Sequence, residues 1–111
     1  MKSYKKYNKE YLDLVNEELS KEYKEMYGLY FTKSYIISSN QEFNIIEYKN
    51  VEKILYYLVS NVNCVSVLTN ENKSIKILES SMEACNEVIN YIMDKNKNIK
   101  KCLDSYENEA K

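Results

Sequence analysis

The sequence predicts an α+β fold: one antiparallel four-stranded sheet built from two hairpins, a long N-terminal helix, a C-terminal helix and a short central helix. Three observations predict it. Apolar residues recur at helical spacing at both ends of the chain, from Tyr4 to Met26 and from Met82 to Tyr106. Between those ends, aromatic and β-branched clusters alternate with polar turns, the composition of a pleated surface. With 111 residues and 13.2 kDa, the chain has room for one compact domain spanning 1–111, and a chain of this size buries roughly 65% of its unfolded surface.

Each element has its own signal. Tyr4, Tyr7, Tyr11, Val15, Leu19, Tyr23 and Met26 form one helical stripe, widened by Leu12 and Leu14. Gly28, the only glycine, stands where a helix commonly needs a left-handed residue, so the first helix is expected to end there. Leu29-Tyr30-Phe31 and Tyr35-Ile36-Ile37 then read as strand, Ser39-Asn40-Gln41-Glu42 as a turn, and Phe43 to Tyr48 as the return strand. Asn50 caps the expected central helix, whose Val51, Ile54, Leu55 and Leu58 sit at i, i+3, i+4 and i+7. The same run suits a strand, since periodicity does not assign six consecutive apolar residues. Cys64 to Thr69 and Ser74 to Glu79 flank Asn70-Glu71-Asn72-Lys73 as a second hairpin, and Ser80-Ser81 open the last helix.

That last helix carries a heptad seam. Met82, Cys85, Ile89, Ile92, Asn96, Ile99, Leu103 and Tyr106 are separated alternately by three and four residues, with Asn96 at an a position. The seam predicts self-association through Ile92, Asn96, Ile99 and Leu103. The alternative is a helix that packs on its own sheet to residue 93 and ends in Lys95-Asn96-Lys97-Asn98. Like charges at Lys95 and Lys100 oppose a parallel pair and favour that alternative.

Composition excludes several chemistries. The chain has no His, Arg, Trp or Pro, so His-based nucleophilic triads are absent and a proton shuttle near neutral pH is lacking. One glycine cannot build a phosphate-cradling loop. Cys64, Cys85 and Cys102 have neither disulfide-framework nor zinc spacing, and no calcium-loop pattern occurs. The expectation is therefore a chain that is not an enzyme and takes no cofactor and no metal. An isoelectric point near 5.6 and the lack of Arg argue against sequence-specific nucleic-acid binding, although Lys2, Lys5, Lys6 and Lys9 share one helical face. That basic, Tyr-bearing segment supports weak lipid-surface binding as an alternative, opposed by the carboxylates from Glu10 to Glu25. The longest apolar run, Ile54 to Val59, is too short to cross a bilayer, and no signal-peptide core follows the basic start, so a cytoplasmic location is expected.

Twelve Tyr remain to be explained. AT-rich coding bias accounts for most of them, alongside the excess of Lys, Asn and Ile. On a helical 51–59 segment, Tyr56 would point away from the apolar face and Tyr57 would lie at its margin, so the pair is expected to form an exposed protein-binding patch. The segment Tyr30-Phe31-Thr32-Lys33-Ser34-Tyr35-Ile36-Ile37, the Ile46-Glu47-Tyr48-Lys49-Asn50-Val51 centre, Val65-Ser66-Val67-Leu68-Thr69 and the closing helix resemble small bacterial pleckstrin-homology-like domains over residues 30–99. The resemblance implies a non-catalytic scaffold that binds proteins or lipids and a strand continuing after Asn50; it assigns no residue a role. The expected function is protein binding, as an inhibitor, immunity-type or regulatory partner of a larger protein, with a self-associating module as the alternative.

Overall fold

The computed structural model describes residues 7–40 and 42–102. It is α+β, with two helices and two separate sheets. The described residues divide into two compact units after Tyr48.

In the first unit, α1 (Lys9–Lys21) starts at Asn8, whose side-chain oxygen accepts from the Tyr11 N–H at 2.8 Å. Its apolar side packs Val15 against Tyr35, Ile37 and Ile45, with Tyr7, Tyr11, Leu12, Leu19 and Phe43 around them. The helix stops at Lys21 because Glu22 turns extended. β1 (Lys24–Met26), β2 (Leu29–Phe31), β3 (Tyr35–Ser38) and β4 (Asn44–Glu47) then pair in sequence order as an antiparallel sheet. Leu29, Phe31, Ile36 and Ile46 are buried on the face away from α1.

Two expectations fail here. The helix does not run to Met26, and Gly28 is not its cap. Tyr27 (φ 52°) and Gly28 (φ 84°) instead form the two-residue loop that joins β1 to β2, with Met26 facing Leu29. Tyr23 and Met26 kept the helical spacing by coincidence, and three-residue strands are too short to impose a period of their own. Residues 29–37 likewise hold two strands: Thr32 donates its N–H to the Tyr35 carbonyl at 2.9 Å and turns the chain between them.

The second unit begins at β5 (Val51–Val59), preceded by a 3-10 turn at Tyr48–Asn50. The expected central helix is a nine-residue strand, one of the alternatives the run allowed. β5 pairs with β6 (Val62–Thr69) through a two-residue loop, Ser60 (φ 51°) and Asn61 (φ 68°), and β6 pairs with β7 (Ser74–Ser80). Lys100–Cys102, β8, adds a short parallel strand to β5. The single sheet of two hairpins is thus replaced by a four-stranded sheet in the first unit and a second sheet around β5–β7. The β6–β7 hairpin lies where the sequence placed it.

α2 (Met82–Lys95) starts on Ser81, which accepts from the Ala84 N–H at 3.1 Å, and packs against β6 and β7. Ala84, Cys85, Val88, Ile89 and Ile92 are its buried side; Ile54, Val65 and Val67 are fully buried in the sheet. The heptad seam is not one continuous helix. Asn96 leaves helical geometry (φ −142°), its carbonyl accepts from the Ile99 N–H and its side chain accepts from the Asn98 N–H at 3.0 Å. Ile92 and Ile99 are buried inside the chain itself, and Leu103 lies outside the described residues.

Candidate functional site

Successive residues of a strand point to opposite faces, so Tyr56 and Tyr57 do not form the shared patch expected of a helix. Both are half-buried and both hydroxyls are engaged across the β5–β6 ladder. Tyr56 donates to Asn63 Oδ1 at 2.7 Å, and the Tyr57 hydroxyl lies 2.6 Å from that of Ser66. These two residues bolt the hairpin together. They also stand beside its end, where the exposed apolar surface lies.

At that end Leu58 faces Asn63 and Val59 faces Val62, and Asn63 faces Ser80 on β7, two residues before Met82. Leu58, Val59, Val62 and Met82 are 44%, 48%, 41% and 58% exposed, although each is apolar. Directly opposed strand residues have Cβ atoms about 5 Å apart, so Val59 and Val62 form a continuous surface. No charged residue occurs between Lys53 and Glu71, which leaves both strands and the loop uncharged. The reading of the sequence missed these four residues. The charge-free stretch was the signal, and it becomes informative only once 51–59 is known to be strand.

Charge is distributed unevenly around this end. β7 runs toward it and α2 runs away from it, so Glu79, Glu83 and Glu87 fall on its side while Lys95 and Lys97 fall at the far end of α2. Glu79 forms an ion pair with Lys76, and this hydrogen bond raises the Lys76 pKa, keeping the ammonium charged. In the first unit, exposed Tyr23 and Tyr30 rings meet at 5.5 Å toward the open end of the β1–β2 hairpin.

Chemical reactivity is poor at every thiol described. Cys64 and Cys85 are buried and unbridged, and burial pushes the Cys85 thiol pKa up, away from thiolate. Among the described residues no group of three His, Cys, Asp or Glu is placed to hold a metal ion, and no helix is long and apolar enough to cross a membrane. No protein-family model, curated protein or solved structure matches this chain.

Proposed function

We propose that this chain is a non-catalytic, cytoplasmic protein-binding domain, an inhibitor, immunity-type or regulatory partner of a larger protein, which docks through the end of the β5–β6 hairpin. The observation that carries the reading is the directly opposed pair Val59 and Val62, exposed on one face of a hairpin end without charged residues, with Leu58 exposed on the other face and Met82 exposed at the start of α2. Isolated exposed apolar residues are ordinary, but an opposed apolar pair at a strand end, with further exposed apolar and acidic residues near the same end, is the arrangement of an interface centre. Covering it removes apolar area worth about 25 cal/mol per Å² from water, while Glu83 and Glu87 steer a basic partner surface toward it. Tyr56 and Tyr57 serve this reading as supports that fix the strand pair. The pleckstrin-homology-like resemblance belongs to the same reading.

The test is capture from host lysate with three baits: the wild type, Val59→Lys/Val62→Lys, and Leu14→Lys as a control on an exposed residue of α1. One stoichiometric partner held by the wild type and the control but lost by the hairpin variant is the expected result. Equal capture by all three baits, or none by any, overturns the proposal.

A further inference from the structure

The face of the first sheet that α1 packs on is not buried along its whole width. Ile37 and Ile45 pack there with Val15, whereas Tyr30, which faces Ile37 in register on the same side, is 38% exposed. Tyr23, two residues beyond the end of α1, is 53% exposed and lays its ring against that of Tyr30, with centroids 5.5 Å apart and planes at 49°. Glu25 stands opposite Tyr30 on β1, and directly opposed strand residues have Cβ atoms about 5 Å apart. One oxygen of its carboxylate accepts from the Gly28 N–H at 2.8 Å, which fixes the group beside the hairpin. Lys24 faces Phe31 instead, on the other side of the sheet. Exposed Glu22 adds a second carboxylate, and α1 ends beside it with the negative end of its dipole. Among the described residues, Lys21 is paired with Glu17, and neither Glu22 nor Glu25 takes part in an ion pair.

We infer that this shelf, Tyr23 and Tyr30 beside Glu25, is a binding site for an arginine side chain of another protein. Exposed rings offer the negative faces of their π systems, and the carboxylates beside them add to the same potential, so the site selects a cation. Shape selects the kind of cation. Cations bind within about 6 Å of a ring centroid, but two rings 5.5 Å apart already touch, so only a flat group laid over an outer ring face gains the contact. A guanidinium is planar, stacks on aromatic faces and reaches a carboxylate with its fork of donors, whereas an ammonium is a compact, strongly hydrated point charge. Composition selects the source. The chain has sixteen Lys and no Arg, so a second copy cannot supply the guanidinium and a different protein must. The site belongs to the first unit and needs nothing from the β5–β6 hairpin end.

The test is an amide NMR titration of the full chain with the tripeptide acetyl-Ala-Arg-Ala-amide, and with the same peptide carrying Lys or neutral citrulline in place of Arg. Saturable shifts at Tyr23, Glu25 and Tyr30 are expected with the Arg peptide, weaker ones with Lys and none with citrulline. Glu10, Asp13 and Glu17, exposed carboxylates along α1, serve as the internal control and are expected to show no saturable shift. Tyr23→Leu keeps an apolar side chain at an exposed position and is expected to weaken Arg binding about two- to fivefold, the range of an exposed cation–π contact. Glu25→Gln keeps an acceptor for the Gly28 N–H while removing the charge, and is expected to weaken it as well. Should that variant disturb the loop, Tyr23→Leu decides alone. Equal affinity for the Arg peptide and either of the others, control shifts as strong as those at Tyr23 and Tyr30, undiminished binding by Tyr23→Leu, or no saturable shift at all overturns the inference.

Discussion

Gly28 is held by two independent constraints, and they can be separated. Its φ of 84° is strained for any residue with a Cβ, and a Cβ built there would lie 2.5 Å from Asn40 Oδ1. The first constraint belongs to the backbone, the second to the end of a flexible side chain. Gly28→Ala is expected to destabilise by about 1–2 kcal/mol, the cost of left-handed geometry plus the displacement of Asn40. In Gly28→Ala/Asn40→Ala the contact is gone and only the backbone cost remains, so the double variant should fall short of the sum of the singles in urea titration. Strict additivity would show that Asn40 yields without cost. At this scale the sequence was partly readable. That Gly28 occupies a left-handed position was legible from its being the only glycine, whereas its neighbour Tyr27, also left-handed, carries no such signal because tyrosine rarely adopts that geometry.

Beside the apolar packing of α1 on the sheet, one carboxylate of the helix ties the two together. Glu18 accepts from Thr32 Oγ1 and Ser34 Oγ, each at 2.8 Å, and from the Ser34 N–H at 3.0 Å, while Thr32 Oγ1 itself accepts from the Tyr35 N–H. Desolvation pushes the Glu18 pKa upward, but the hydrogen bonds from Ser34 and Thr32, helped by Lys33, outweigh it and leave the group below its ordinary value. A carboxyl whose folded pKa is depressed adds stability that is fully present above the unfolded value, about 4.3, and is lost as pH falls through the folded pKa. Glu18→Gln is therefore expected to cost about 1.5–3 kcal/mol at neutral pH, since a charged acceptor is lost. The gap between variant and wild type should narrow in acid. Chemical denaturation at neutral pH and below the ordinary Glu value checks this, and a gap independent of pH would contradict the role given to the charge. None of this tie could be read from the sequence, where Glu18 is one of the carboxylates between Glu10 and Glu25 with nothing to set it apart. The elements themselves were legible where local chemistry and period agree, as in the β6–β7 hairpin and the Ser81 start of α2. They were not where the two conflict: Val51, Ile54, Leu55 and Leu58 imitate a helix, and Ser60-Asn61 makes a tight turn without glycine, so the residues leave helix and strand both open and the pairing with β6 decides for β5.

For the whole molecule, the decisive question is whether the surface proposed for binding is separate from what keeps the chain folded. The buried residues of the second unit include Ile54, Val65, Val67, Val88, Ile89 and Ile92, and replacing such a side chain by Ala typically costs about 2–5 kcal/mol for Ile and less for Val. Val59 and Val62 lie outside that group, at the end of the hairpin and nearly half exposed. Val59→Thr/Val62→Thr keeps the β-branched shape that suits the strand and trades one methyl per residue for a hydroxyl that water can reach. Thermal and urea unfolding of this variant should match the wild type to within about 0.5 kcal/mol, the range of surface substitutions remote from the core. Partner retention should nevertheless fall, because the same two methyl groups would be buried and their replacement hydroxyls left dry in a complex. Loss of stability and binding together would instead make the hairpin end part of the core, and with it the exposed cluster on which the functional reading stands would lose its meaning as a surface.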